Sequence, residues 1–176
     1  MKAELARLFR EVELIGDPLL REKVLSVWED AMKEGGWKPE DLEQIPFTLV
    51  IEKAPFNLVE HTRAVTLSAF SMGKAMVEVY GDSVEINFDY LVAGGLLHDV
   101  GKLLEYERKD GKFVKSLRGK RLRHPVSGAI LAARLGLPEE IQHIIAAHSK
   151  EGDFTKRSIE ATLVYHADFS NFEPWR

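Results

Sequence analysis

The spacing of apolar positions along the chain predicts helices almost throughout. Leu5, Leu8, Phe9, Val12 and Ile15 predict a short amphipathic helix over residues 2 to about 15. Asp17-Pro18 has the form of an N-cap followed by proline at the first helical position. It opens a helix through Leu20, Val24, Leu25, Trp28 and Met32 that stops at Gly35-Gly36. Trp37 to Pro46 reads as a connector with one turn at Pro39-Glu40-Asp41, and the run Phe47 to Ile51 is too short to separate a strand from a buried loop. Asn57-Leu58-Val59-Glu60 is a capping-box pattern and opens a helix to about Val79, which Gly81-Asp82-Ser83 breaks.

The most apolar stretch comes next. Phe88, Leu91, Val92, Leu96, Val100, Leu103 and Leu104 recur at helical spacing, and Leu97 fills the gaps, so this helix is expected at the centre of the molecule. Gly94-Gly95 lowers its helix propensity and predicts close approach by a neighbouring backbone. Glu105 to Lys115, with Lys109-Asp110-Gly111 in the middle, predicts a small hairpin. Ser116 to Arg123 reads as an irregular basic loop. Pro125 starts a further helix ended by Gly136, and Pro138 starts another with His148 near its end. Thr155 is the expected cap of a last helix running to Asp168. The fold class is all-α, a helical bundle with one β-hairpin near residues 105–115.

Composition narrows what such a bundle does. The 176 residues suit one domain, and 45% hydrophobic with 30% charged content is ordinary for a globular chain. A net charge of −4 gives no general attraction to nucleic acid or to an anionic membrane. The chain has no cysteine, so a metal would be held by histidines and carboxylates. No apolar run approaches the roughly 18 residues needed to span a bilayer. The N-terminal residues carry no apolar leader, which makes the cytoplasm the expected compartment.

Into its most buried helix the chain puts His98, Asp99 and Lys102. Such groups are costly to bury without partners, and a metal bound by His98 and Asp99 would compensate them. A structural ion pair would serve the same end. His61 begins one helix, His124 precedes another, His148 ends a third and Asp168 lies late on a fourth, so all of these can converge in a bundle. His143 lies about 140° round its helix from His148, and His166 about 200° from Asp168, so neither is expected to share the site. Lys102 is about 40° from His98 on a regular helix, so it is expected beside the same site. Lys115, Arg118, Lys120, Arg121 and Arg123 crowd the segment before His124 and suggest an anionic substrate.

These segments resemble the HD superfamily of metal-dependent phosphohydrolases. The matching pieces are Glu60-His61-Thr62, Gly95-Leu96-Leu97-His98-Asp99-Val100-Gly101-Lys102, His124-Pro125-Val126-Ser127-Gly128-Ala129, Ala146-Ala147-His148-Ser149 and His166-Ala167-Asp168. The resemblance covers about residues 57–170, with helices 1–56 packed on that core. It implies that His61, His98, Asp99 and Asp168 hold one ion. His124 and His148 would complete a second, with Asp99 bridging, as in the dinuclear branch. One or two divalent transition-metal ions are implied; Fe or Mn suit the donors best, and Co, Ni, Zn or Mg are admissible.

The activity implied is hydrolysis of a phosphate mono- or diester of a nucleotide or related small molecule, by a hydroxide shared between the ions. Asp99 and Lys102 would be catalytic, and Lys102, Arg118, Arg121 and Arg123 would bind substrate. The alternatives are a mononuclear 5′-nucleotidase and a non-catalytic nucleotide-binding regulatory module. Neither a membrane nor a nucleic-acid polymer is expected as partner; assembly into a homo-oligomer is compatible with the chain.

Overall fold

A computed structural model describes residues 1–176, and its architecture is helical with a single two-stranded sheet. The helices are α1 (Lys2–Leu8), α2 (Pro18–Gly35), α3 (Leu58–Tyr80), α4 (Phe88–Leu97), α5 (Lys102–Glu105), α6 (Leu117–Arg121), α7 (His124–Arg134), α8 (Glu139–Ala147) and α9 (Ile159–Phe172). Strands β1 (Tyr106–Lys109) and β2 (Lys112–Lys115) pair antiparallel between α5 and α6, with Tyr106 opposite Lys115. Their turn puts Asp110 and Gly111 in the left-handed region, as a tight hairpin requires.

Helix α4 is the hub. Leu91 to Leu97 are all buried, and the helix packs against α2, α3, α8 and α9. The N-terminal segment is part of the same core: Leu5, Phe9, Val24, Trp28 and Met32 share a buried apolar cluster with Val92, Leu96 and Val100. Trp28 stacks on Phe9 at 4.4 Å between ring centres and donates its indole N–H to the Leu96 carbonyl. Glu11 is buried and receives both arms of Arg63, which ties the N-terminal segment to α3. No helix is long and apolar enough to cross a membrane.

Several local expectations are corrected. The N-terminal helix is two pieces, α1 and a 3₁₀ turn Arg10–Leu14, separated at Phe9, whose backbone leaves helical geometry to stack its ring on Trp28. The segment before His124 is not irregular: Ser116 accepts from the Gly119 amide and caps α6. The last helix is capped by Ser158 rather than Thr155, because Ser158 accepts from the Ala161 amide, and it runs on to Phe172. Phe47 to Ile51 forms no strand. Of the Gly94-Gly95 pair, Gly94 makes room for a side chain, since a Cβ there would lie 2.5 Å from Ile144, while a Cβ at Gly95 would lie 3.1 Å from the Thr66 Cα, the close backbone approach expected.

The largest correction falls on the central segment. It is not one helix: α4 ends at Leu97 and α5 starts at Lys102. Between them the amides of Val100, Lys102, Leu103 and Leu104 bond three residues back, a 3₁₀ pattern. The reason is competition for carbonyls. His98 Nδ1 donates to the Gly95 carbonyl at 2.7 Å, and the indole of Trp28 takes that of Leu96, the two carbonyls that the next amides of a regular helix would use. In 3₁₀ geometry residues i and i+3 eclipse, so Lys102 stands over Asp99 rather than over His98.

Candidate metal centre

The centre is assembled by the ends of α3, α7 and α8, the 3₁₀ turn after α4 and one residue within α9. The capping box at Asn57 and Glu60 sets the start of α3 and so the position of His61 in its first turn. The turn after α4 presents His98 and Asp99. Gly101 lets the start of α7 come in against it, because a Cβ there would meet the His124 carbonyl at 2.2 Å. His148 follows the end of α8, and Asp168 lies on α9.

Asp99 is the pivot. Its Oδ2 lies 3.5 Å from His61 Nε2 and 3.3 Å from His98 Nε2. Its Oδ1 lies 3.3 Å from His124 Nε2 and 3.8 Å from His148 Nε2. Asp168 Oδ1 joins the first side, 3.0 Å from His61 Nε2 and 4.0 Å from His98 Nε2. Two sets of donors therefore form, His61-His98-Asp99 and Asp99-His124-His148, each with atoms within 4.8 Å of one another, and Asp99 belongs to both.

The imidazoles are oriented for coordination. His148 Nδ1 donates to the Ile145 carbonyl at 2.7 Å, as His98 does to Gly95. That leaves Nε2 of each as a buried acceptor with no hydrogen-bond partner. Two orphaned ring nitrogens aimed at one carboxylate are expensive unless a cation fills the gap. The donor set, imidazole and carboxylate with no thiolate, fits a divalent transition ion.

The charges follow from these contacts. Burial opposes ionisation of Asp99, but Lys102, His98 and His124 outweigh it and hold its carboxyl well below the usual range. Burial likewise opposes ionisation of Asp168, and the bond from His61 with the charge of His98 brings it down to about 2. His148 is pushed down to about 3 by burial and by its two imidazole neighbours. His61 is lowered by burial. His98 is raised, because the field of Asp99 overcomes burial. Lys102 is raised for the same reason, its Nζ bonded to Asp99 Oδ2 and to the Phe47 carbonyl.

A cavity of about 510 Å³ opens over Asp99, within the size range of small-ligand sites. Phe47, Thr48, Leu49 and Val50 form one wall, Phe169 and Phe172 another, and Lys102, Lys115, Arg123, Lys150 and Arg176 bring positive charge. The expected substrate cations divide. Arg123 reaches the cavity, paired with Glu151 at 3.0 Å, whereas Arg118 is bound to Glu34 and, like Arg121, does not line it. Lys150 and Arg176 line it with no side-chain carboxylate partner. His166 is exposed, and His143 accepts from the Ser158 amide away from the centre, so both stay outside as expected.

Sequence reasoning passed over Glu105. Its Oε2 accepts from the His124 amide at 2.6 Å and from His124 Nδ1 at 2.8 Å, while Oε1 pairs with Lys115 at 3.0 Å. Burial resists its ionisation, yet the bonds from His124 and Lys115 hold it at about 2. The phenol of Tyr106 next to it is pushed up to about 12 by burial. The only signal in the sequence was a carboxylate six residues after Asp99, at the foot of a hairpin.

The family model for the HD domain matches residues 58–169. The chain belongs to the HD domain family. Among curated proteins it is similar to a dihydroneopterin 2′,3′-cyclic phosphate phosphodiesterase of Methanocaldococcus jannaschii, 32% identical over 173 residues, with 92% of this chain covered. It is also similar to Ribonuclease Y of Acidothermus cellulolyticus, 39% identical over 75 residues, and of Thermobifida fusca, 40% identical over 73 residues. These stretches cover 43% and 42% of this chain. The chain spans 66% of the length of the Methanocaldococcus relative and 12% of each ribonuclease. No solved structure matches the chain.

Proposed function

We propose that this chain is a metal-dependent phosphohydrolase that cleaves a phosphate diester of a small molecule, with 2′,3′-cyclic phosphates as the first candidates. The observation that carries the reading is the division of Asp99: each carboxylate oxygen faces its own pair of imidazoles on the floor of the cavity. His61, His98, Asp99 and Asp168 would hold one divalent ion, and Asp99, His124 and His148 a second. When bound, such a pair supplies Lewis acidity toward phosphoryl oxygens and activates water near neutral pH.

The protein's own groups do the rest. Lys102 fixes the Asp99 carboxylate and adds positive charge beside the reacting phosphate. Arg123, Lys150 and Arg176 attract an anion into the cavity, and Phe47, Phe169 and Phe172 offer an apolar wall to a ring system such as a nucleobase or a pterin. The cyclic phosphate diester named for the Methanocaldococcus relative supports the diester choice. A mononuclear 5′-nucleotidase needs neither His124 nor His148, and it would leave two oriented imidazoles without a task.

The test is a substrate panel with protein loaded anaerobically with Mn or Fe: 2′,3′-cyclic and 3′,5′-cyclic nucleotides, a pterin cyclic phosphate, a generic aryl diester and 5′-monophosphates. Ring opening to a monoester, followed by phosphorus NMR, is the expected result. Faster turnover of the 5′-monophosphates would replace the diesterase by a nucleotidase. Absence of turnover on every compound would replace it by a binding module.

A further inference from the structure

The imidazoles of the centre are oriented by two different devices, and helix polarity explains which is used where. The last carbonyls of a helix have no amide partner within it. His98 and His148 both follow the end of a helix, and each donates Nδ1–H to such a carbonyl three residues back. His124 is the first residue of α7. At that end the free backbone groups are donors, so no helical carbonyl is available to its Nδ1.

Glu105 supplies the missing acceptor. It is 5% exposed and comes from α5, two 3₁₀-like turns beyond Asp99. One oxygen, Oε2, takes both the ring N–H and the backbone N–H of His124, at 2.8 and 2.6 Å. Those two bonds fix the ring's tautomer and rotation together and leave Nε2 as a lone pair toward Asp99 Oδ1. The other oxygen pairs with Lys115 of β2 at 3.0 Å and takes no part in the bonds to His124. A backbone atom of Glu105 lies 2.3 Å from where a Cβ of Gly119 would stand, so α6 backs the same residue.

We infer that Glu105 is a positioning residue for the second metal position alone: it holds His124 in the ligating orientation and thereby sets whether the chain carries one ion or two. The inference rests on the dinuclear reading above. Partners of this kind are worth about 10–100-fold in metal affinity. Nothing in the first donor set touches Glu105, so the first ion is held independently of it.

The experiment is metal titration by calorimetry, with stoichiometry checked by elemental analysis, on wild type, Glu105→Gln and Lys115→Met. Wild type is expected to take up two ions. Glu105→Gln should bind the first unchanged and the second about 10–100-fold more weakly. Lys115→Met leaves Oε2 on His124 and should keep both. Equal affinities for both ions in wild type and Glu105→Gln overturn the inference and leave the proposed function standing. Failure of wild type to take up a second ion overturns both.

A second readout needs no variant. Long-range proton–nitrogen NMR of the metal-free wild type should show His124 as the Nδ1–H tautomer. A dominant Nε2–H form would overturn the inference even if Glu105→Gln failed to fold.

Discussion

The two sides of Asp99 are built from the same residue types and differ in what supports them. On the first side, His98 is fixed by a carbonyl of its own helix, while His61, in the first turn of α3, has its Nδ1 buried with no partner and the Phe47 ring 4.7 Å away. On the second side, His148 is fixed as His98 is, and His124 leans on a carboxylate from another element. An imidazole at the end of a helix is oriented by backbone that no substitution removes. At the start of a helix it needs a side chain or goes without. The first side also reaches solvent, through Asp168 with 18% of its side chain exposed, whereas His148 is fully enclosed.

The substitution that breaks both sides together is Asp99→Ala. It removes the carboxylate common to the two donor sets, and the expected outcome is loss of both ions with turnover at background, checked by metal analysis and the substrate panel. Normal turnover in that variant would remove Asp99 from the centre. His98→Ala and His148→Ala separate the sides: each should lose the ion on its own side and retain the other. Loss of both ions from His148→Ala would mean that the two positions fill only together.

The pH dependence of metal-free stability sharpens the contrast. His148 has its folded value lowered from 6.5 to about 3, so its neutral form contributes stability above pH 6.5 that is lost as pH falls toward 3. Glu105 and Asp168, both lowered to about 2, have the same sign but act below their ordinary values of 4.5 and 3.8. His98, raised above 6.5, has the opposite sign: its contribution is present below 6.5 and is lost as pH rises through the folded value. Denaturation midpoints between pH 7 and 4 should fall for wild type and flatten for His148→Gln. Identical slopes would show that His148 is not enclosed as described.

Smaller effects are expected away from Asp99. Gly94→Ala sets a methyl 2.5 Å from Ile144 and should cost about 1–3 kcal/mol, read as a lowered melting temperature with ion stoichiometry unchanged. Smallest of all, Arg118→Ala and Arg121→Ala should leave kcat/KM alone, whereas Lys150→Ala should raise KM without moving kcat. A KM effect from Arg118 would return that residue to the substrate path.

Much of this was legible along the chain. The helices α2, α3, α7 and α8 and the hairpin carry local signals of periodicity, capping and turn chemistry, and the residues His61, His98, Asp99, His124, His148 and Asp168 were legible through the family resemblance of the segments that hold them. What was not legible depends on partners distant in sequence. The break after Leu97 goes with the indole of Trp28, 68 residues away from the Leu96 carbonyl it takes. The basic segment 115–123 looked available to substrate because nothing nearby in sequence announces that Glu34, Glu105 and Glu151 engage Arg118, Lys115 and Arg123. Glu105 itself matches no motif, and its meaning is a distance to His124.

Anomalous diffraction from crystals soaked in manganese tests the central claim most directly. The expected result is two peaks flanking Asp99, one against His61, His98 and Asp168 and the other against His124 and His148. A single peak, or peaks that leave one of the Asp99 oxygens untouched, would contradict a shared carboxylate between two ions.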